Sequence, residues 1–438
     1  MTFPDPGSLR SCTVPLPAGT VVDGLAFAAG AGAGDGAVLD RSHRTMAGRG
    51  RAASLDYPRG LLAGDPAAVT TWLGAIRAVD PLERAGSGPV AFGALPFGAG
   101  EPARLVVPAL TVARTGDEVW ATVVEADVGP DPASAEVVDR ALAALAGPPP
   151  ARPAQRGPGE LLVPVPSEED FVRACEAALD AITAGEVSKV VLARRVDARF
   201  DRPVDVHTVL ARFRALEPAC TVFGILDADR SFIGASPELL VSRRGDRIVS
   251  HPLAGTAGLA PPGPAEDPAS RSALDHLVGS AKETEEHRLV VDAIAGILAP
   301  LCDRLEVPLS PEVVRLATVA HLGTRLVGRL APGPNRPDVL DLVAALHPTP
   351  AVAGSPTAAA LALLERLEEG GRGRYAGPVG WVDSRGDGEF VVGIRSATVE
   401  GDRASVHAGA GIVAGSDPKE ELAETALKLR TALGALEG

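Results

Sequence analysis

The sequence predicts a large fold that mixes helices and strands, and three observations support this class. The chain has 438 residues, of which 46% are hydrophobic, so it can bury a substantial core. Short runs rich in β-branched and aromatic residues, typical of strands, recur along the chain. Segments with helix-capping residues lie between these runs. We therefore expect one large or two ordinary domains of mixed α and β structure.

The first part of the chain, residues 1–150, is rich in alanine and glycine and offers no catalytic constellation. Its composition predicts helices over 65–79 and 133–146, and strands over 90–97, 104–112 and 118–124. Residues 147–159 are too rich in proline and glycine for regular structure, which makes them a candidate boundary. We expect residues 1–150 to form an N-terminal half and residues 160–438 to carry the function, although both could share one system of sheets.

The second part alternates strands and helices throughout. A serine at 167 caps a predicted helix that ends near residue 184, just before Gly185. Strands are expected over 187–194, 221–226, 231–235, 248–257, 390–396 and 404–408, with the strands at 221–226 and 231–235 forming a hairpin. Further helices are expected over 282–294, 338–345 and 357–369, and from Asp417 onward.

Two ionisable residues lie in apolar surroundings. Lys189 interrupts an apolar strand, where it is either a functional lysine or an ordinary edge-strand lysine. Glu238 lies between a proline turn and an apolar strand, where burial would raise the pKa of its carboxyl group. The alternative for Glu238 is an exposed carboxylate in a turn.

Two predicted helices each carry a pair of glutamates three residues apart: Glu283 with Glu286, and Glu421 with Glu424. Lys428 follows on the same face of the second helix. Carboxylate oxygens are the ligands that Mg²⁺ prefers, but the same spacing also occurs on solvated helix faces. Arg395 falls in the predicted buried strand 390–396, where its charge needs a partner such as an anionic ligand.

Composition limits the other functions. A net charge of -14 and a pI near 5.1 argue against a nucleic-acid-binding protein. The sequence shows neither a signal peptide nor an apolar run of about 18 residues, and its four cysteines are widely spaced, so we expect a cytoplasmic protein with reduced thiols. No coiled-coil repeat is visible, and we expect a monomer.

Residues 409–415 read as a glycine-rich turn, but their spacing does not match a nucleotide-phosphate loop.

Eight short motifs, in order over about residues 165–436, resemble those of the chorismate-binding enzyme family. They are SKVVLAR at 188–194, GASPE at 234–238, HPLAGT at 251–256, KETEEH at 282–287, HPTPA at 347–351, IR at 394–395, AGAGIV at 408–413 and ETALK at 424–428. The resemblance implies an α+β fold like that of anthranilate synthase component I, in which packed β-sheets are surrounded by helices.

The resemblance also implies roles for individual residues. Lys189 matches the general base of the water-adding members, and Glu238 matches the general acid. Glu286 and Glu424 match direct Mg²⁺ ligands, with Glu283 and Glu421 supporting them through water. The positions that match substrate-binding residues are Gly255, Thr256, His321, Ala351, Tyr375, Arg395, Gly409 and Lys428.

The implied activity is the Mg²⁺-dependent conversion of chorismate to isochorismate. The alanine at position 351 resembles the isochorismate-forming members, whereas the salicylate-forming members usually have threonine there. A salicylate-forming enzyme, which would go on to eliminate pyruvate, remains the alternative. A non-catalytic chorismate-binding protein is the hypothesis from a different class.

Overall fold

The strands of the protein belong to three sheets, as described by a computed structural model covering residues 3–30, 35–128, 131–147, 161–260, 267–334 and 336–437. In chain order the strands are β1 (Leu9–Pro15), β2 (Gly36–Arg41), β3 (Arg44–Arg49), β4 (Ala53–Tyr57), β5 (Arg77–Val79), β6 (Val90–Ala94), β7 (Ala103–Val107), β8 (Leu110–Thr115), β9 (Glu118–Ala126), β10 (Leu161–Val165), β11 (Lys189–Arg199), β12 (Thr221–Leu226), β13 (Ser231–Ser236), β14 (Leu239–Arg244), β15 (Arg247–His251), β16 (Leu253–Gly258), β17 (Cys302–Glu306), β18 (Glu312–Arg315), β19 (Val319–Gly323), β20 (Leu326–Leu330), β21 (Gly354–Ser355), β22 (Pro378–Asp383), β23 (Gly388–Val392), β24 (Ser396–Glu400) and β25 (Arg403–Val413).

Helices connect many of these strands. They are α1 (Gly24–Ala28), α2 (Ala67–Gly74), α3 (Ser134–Leu145), α4 (Glu168–Thr183), α5 (Val206–Leu216), α6 (Pro268–Gly279), α7 (Ala281–Leu298), α8 (Val339–Leu346), α9 (Thr357–Leu367) and α10 (Pro418–Glu437). Within the described ranges, no helix is both long and apolar enough to cross a membrane.

The largest sheet has the order β10-β11-β25-β24-β13-β12-β2-β3-β8-β9-β1-β5, with β21 also pairing with β11. A second sheet has the order β17-β20-β15-β14-β23-β22-β6-β7-β4, and β16, β19 and β18 form a third. Strands from the first 126 residues therefore lie within both large sheets, where β2 pairs with β12 and β6 pairs with β22.

The two large sheets pack face to face. Their shared core contains Trp120 and Phe223 from one sheet and Phe92 and Trp381 from the other. Helices cover the outer faces: α3, α5 and α10 pack on the largest sheet, and α2, α7 and α8 pack on the second. Burial of apolar side chains on both faces of each sheet is the main stabilising contribution to this arrangement. The predicted α+β fold, with packed sheets surrounded by helices, is confirmed.

Several predicted elements need correction. The predicted strand 104–112 is two strands, β7 and β8, which belong to different sheets and are separated at Pro108. The predicted helix 65–79 is shorter, because α2 ends at Gly74 and residues 77–79 form β5. The proline- and glycine-rich segment proposed as a boundary lies, from residue 148 onward, outside the described residues.

Two corrections concern the C-terminal part of the chain. The predicted strand 390–396 is wrong at its end, because β23 stops at Val392 and β24 begins at Ser396 in the other large sheet. Arg395 therefore lies in the crossing between sheets, with a φ angle of 52°. The predicted glycine-rich turn after residue 408 is also wrong up to residue 413, since β25 continues to Val413 and pairs with β11 along its whole length.

Candidate active site

A cavity of about 730 Å³, part of which is open to solvent, is lined by most of the residues that the sequence singled out. The predicted catalytic and substrate-binding residues that line it are Glu238, Gly255, Thr256, His321, Ala351, Tyr375, Arg395, Gly409 and Lys428. Lys189 lies directly behind this lining, in contact with Glu286, which does line the cavity. Residues far apart in the sequence are thus brought to one place by the crossing of the two sheets.

Glu238 lies where the chain passes from β13 in one large sheet to β14 in the other. Only 3% of the residue is exposed, so the alternative of an exposed turn carboxylate is wrong. Burial raises the pKa of its carboxyl group to about 8, although the positive charge of Lys189 and a hydrogen bond from the Leu253 N–H act in the opposite direction. A carboxyl group in this environment holds its proton near neutral pH and can donate it.

Lys189 begins β11, where it pairs with Ser355 of β21 on one side and with Val413 of β25 on the other, so it does not lie at an edge of the sheet. The edge-strand alternative is therefore wrong, and the residue is 1% exposed. Its Nζ lies 2.9 Å from Oε1 of Glu286 on α7. Gly411 on β25 makes room for this contact, because a Cβ atom there would lie 2.6 Å from the same Oε1.

One carboxylate of α7 and one of α10 contact Thr256, which follows the tight bend at Gly255. Ser280 caps α7, and the side chain of Asp417 accepts hydrogen bonds from the first turn of α10. The Thr256 N–H donates to Oε2 of Glu283 at 2.9 Å, and the Thr256 hydroxyl donates to Oε1 of Glu424 at 3.3 Å. One glutamate of each pair is therefore held by the same residue.

These carboxylates are not an ordinary solvated helix face. Burial, and then the neighbouring charge of Glu286, raises the pKa of Glu283; burial, and then Glu424, raises that of Glu421. Lysines accompany them: Lys282 Nζ lies 3.3 Å from Oε1 of Glu421, and Lys428 Nζ lies 2.5 Å from Oε1 of Glu424.

The oxygen donors of the four glutamates suit a hard cation such as Mg²⁺. Within the described parts of the chain, however, no group of three or more His, Cys, Asp and Glu side chains has the spacing of a preformed metal site. Each glutamate is instead bonded to a lysine or to Thr256. A cation would have to replace these lysines at the carboxylates, and the predicted metal-binding roles stay predictions.

Another part of the cavity is lined by a positively charged side chain, Arg395. Arg395 Nη2 lies 3.2 Å from Nε2 of His321, whose Nδ1 lies 2.9 Å from the carbonyl oxygen of Gly255. Burial, and then Arg395, lowers the pKa of His321 to about 3, so the ring is neutral. Its Nδ1–H donates to Gly255, and its Nε2 accepts from Arg395. The histidine thus orients the arginine, whose Nη1 also donates to the carbonyl oxygen of Lys428 at 3.2 Å.

Two ionisable side chains of the lining, His407 and Arg372, were not predicted. His407 stacks on Tyr375 with ring centroids 5.0 Å apart, and Arg372 donates to the carbonyl oxygens of Val191 and Val352, each at 2.6 Å. His407 directly precedes the motif at 408–413, which was the available signal. Arg372 lies among glycines at 370, 371 and 373, and no sequence pattern points to it.

The lining of the cavity thus combines the buried acid, the carboxylate of Glu286 and three cationic side chains, Arg372, Arg395 and Lys428, and Lys189 contacts this lining through Glu286. Arg395 and Lys428 suit an anionic ligand. Ala351, Val352 and Ile394 supply an apolar part of the lining, which suits a ring. This arrangement fits proton transfer on a small cyclic anion.

Comparison with known proteins gives a consistent result. A family model described as chorismate binding enzyme matches residues 40–437. Isochorismate synthase DhbC of Bacillus subtilis is 41% identical over 282 residues, which are 62% of this chain and 69% of that protein. The structure of MenF, the menaquinone-specific isochorismate synthase from Escherichia coli, has a TM-score of 0.78 and 26% identity, covering 100% of this chain and 96% of that chain.

A more distant structure shares the fold. Anthranilate synthase component I from Streptococcus pneumoniae has a TM-score of 0.70 at 21% identity, covering 97% of this chain and 92% of that chain. The family match spans both parts of the sequence and the whole candidate active site. The resemblance noted from eight short motifs is therefore confirmed, and this chain belongs to the chorismate-binding enzyme family.

Proposed function

We propose that the protein converts chorismate to isochorismate, by adding water at ring carbon 2 and releasing the hydroxyl group from carbon 4. The observation that carries this proposal is the buried Glu238, whose raised pKa keeps a proton available at a cavity that Lys189 adjoins. The relatives that are isochorismate synthases by name support the same reaction.

Lys189 is the proposed base. In its neutral form, it would accept a proton from the attacking water as the new bond to carbon 2 forms. Glu238 would give its proton to the hydroxyl group that leaves carbon 4 as water, while the ring double bonds shift. One water enters and one leaves, so the reaction is an isomerisation and needs no oxidant or reductant.

The anionic groups of the substrate account for the remaining charges. Arg395, oriented by His321, and Lys428 would hold a carboxylate of chorismate. Glu286 and Glu424 would hold Mg²⁺, with Glu283 and Glu421 supporting it. When bound, the metal would neutralise these carboxylates and attract the second carboxylate of the substrate.

Incubation of the purified protein with chorismate tests this proposal. Chromatography should resolve isochorismate, salicylate and pyruvate, with and without Mg²⁺ and after addition of a chelator. We expect isochorismate without pyruvate, lost with the chelator and in Lys189→Ala. The matched control is Lys419→Ala, because Lys419 is an exposed lysine in the first turn of α10.

Other products would change the proposal. Equal amounts of salicylate and pyruvate would assign the chain to the salicylate-forming members and show that Ala351 does not discriminate. Unchanged chorismate under all conditions would contradict catalysis and leave only chorismate binding.

A further inference from the structure

A second cleft adjoins the candidate active site. It encloses about 1610 Å³, part of which is open to solvent, and both large sheets contribute to its walls. Arg372 and His407 line this cleft as well as the central cavity. The proposed reaction makes no use of this cleft.

The cleft is rich in arginine although the chain as a whole is acidic. Its acidic lining residues are Asp56 and Glu101, in a chain whose net charge is -14. Its arginines are Arg104, Arg195, Arg230, Arg372 and Arg374. Four of the five arginines are ion-paired with carboxylates, so the cleft presents a cluster of guanidinium groups and not a large excess of positive charge.

Three of these arginines keep hydrogen-bonding capacity for a ligand. Each contacts a carboxylate through Nε, which leaves the terminal nitrogens of its guanidinium group for other partners. These contacts join Arg104 to Asp56 at 2.6 Å, Arg195 to Asp197 at 3.1 Å and Arg230 to Glu400 at 2.8 Å.

Arg374 differs from these three because it is not neutralised. Its Nη1 is buried and has no hydrogen-bond partner within the described residues. Burial, and then the charge of Arg230, lowers the pKa of Arg374, with Asp227 acting in the opposite direction. A buried guanidinium nitrogen without a partner is costly, and Arg374 is the one arginine of this lining for which the described residues supply no ion pair with a carboxylate.

We infer that this cleft is a binding site for a small anion that carries two or more negative charges on clustered oxygens, as phosphates and polycarboxylates do. Arg374 and Arg230 are its principal ligands, since planar guanidinium groups match such oxygens in pairs. The site is separate from the one proposed for chorismate, which relies on Arg395 and Lys428.

Isothermal titration calorimetry with inorganic pyrophosphate tests this inference. Measurements without chorismate, with a chelator present and at constant ionic strength make the result independent of the proposed reaction. We expect one pyrophosphate to bind per chain. Its affinity should fall roughly tenfold or more in Arg374→Gln and in Arg230→Gln, because each removes charged hydrogen bonds to the anion.

Two further variants are matched controls. Arg304→Gln removes another exposed arginine that is paired with a carboxylate, Glu306, at 2.6 Å, but outside the cleft. Arg395→Gln removes one of the cations of the central cavity. Both should leave the affinity unchanged. Arg230 is exposed, so its variant gives a result even if Arg374→Gln does not fold.

Three outcomes would overturn the inference. They are absence of pyrophosphate binding, loss of binding in Arg395→Gln but not in the cleft variants, and equal weakening by Arg304→Gln. The second outcome would place the anion in the central cavity. The third would show only general attraction to surface charge.

Discussion

At the scale of single residues, Glu238 shows how the crossing between two sheets creates a functional group. The residue follows β13 and precedes β14, so it lies at the crossing between the sheets, where only 3% of it is exposed. The same burial that raises its pKa to about 8 makes it a proton donor at neutral pH. Its environment therefore supports the proposed acid role. A single substitution, Glu238→Gln, tests both the acid role and the raised pKa.

Glu238→Gln should reduce the rate of isochorismate formation about 10²–10⁴-fold, because the amide keeps the shape of the side chain but cannot serve as an acid. The wild-type rate should also fall above about pH 8, where Glu238 loses its proton. Initial rates across a pH series would measure both effects. Glu389→Gln, which alters a buried carboxyl group outside the cavity, should retain most of the activity. A fully active Glu238→Gln protein would rule out the acid role.

The raised pKa of Glu238 also predicts how stability depends on pH. Between its ordinary pKa of 4.5 and its folded pKa of about 8, the folded chain keeps a proton that the unfolded chain has released. The stability that the folded chain gains from holding this proton is present at low pH and is lost as the pH rises through that window. Glu238→Gln lacks it and should gain about 1–4 kcal/mol relative to wild type from about pH 5 to pH 8.5. Urea unfolding at several pH values measures this difference, and a constant difference would contradict the buried-acid assignment.

The sequence predicted which residues meet in the cavity better than it predicted how they meet. Lys189 and Glu238 were identified from the motifs around them, and the structure brings both to the cavity. The ion pair between Lys189 and Glu286 joins residues 97 positions apart, and no local pattern encodes it. Arg372 was missed for the same reason, because its bonds to Val191 and Val352 depend on distant backbone.

At the scale of elements, β25 shows why glycines within a strand were predicted to form a turn. The glycines at 409 and 411 predicted a turn, since glycine commonly marks turns. They lie within a strand because side chains from elsewhere occupy the space next to them: Tyr375 beside Gly409, and Glu286 with Lys189 beside Gly411. A glycine required for close approach and a glycine required for a turn look alike in a single sequence.

Gly411→Ala should therefore impair the active site more than the fold. The added Cβ would lie 2.6 Å from Oε1 of Glu286 and 3.1 Å from Cε of Lys189, so this ion pair must shift. We expect at least about tenfold lower activity, since small misplacements of catalytic groups are costly, and about 1–3 kcal/mol lower stability. Rates and urea unfolding would measure both.

Gly296→Ala is the matched control on α7, the helix that carries Glu286. No atom lies within 4 Å of the added Cβ at this position. The substitution should leave activity unchanged and stabilise the protein by about 0.5–1 kcal/mol, because alanine is the better helix former. Unchanged activity in Gly411→Ala would show that the ion pair tolerates displacement.

At the scale of the whole molecule, the two large sheets connect distant parts of the sequence. Strand positions were predicted well where runs of β-branched residues were bounded by turns, as in β12 and β13. Which strands pair could not be predicted, because β2 with β12 and β6 with β22 are joined across more than a hundred residues. A single sequence shows local preferences for helix or strand but does not show which distant strands pair. The expected packing of the sheets came from the family resemblance.

This connection predicts that the protein unfolds as one unit. Trp120 on β9 and Trp381 on β22 belong to the same core between the sheets, although they come from opposite parts of the chain. Variants in which phenylalanine replaces the other two tryptophans would leave one reporter in each, either Trp120 or Trp381. For each variant, urea unfolding followed by fluorescence should coincide with unfolding followed by far-ultraviolet circular dichroism.

If Trp120 reported a transition earlier than the loss of secondary structure while Trp381 did not, the shared core would not couple the two parts. Coincidence of all the curves is expected because neither sheet keeps its central strands when either part unfolds.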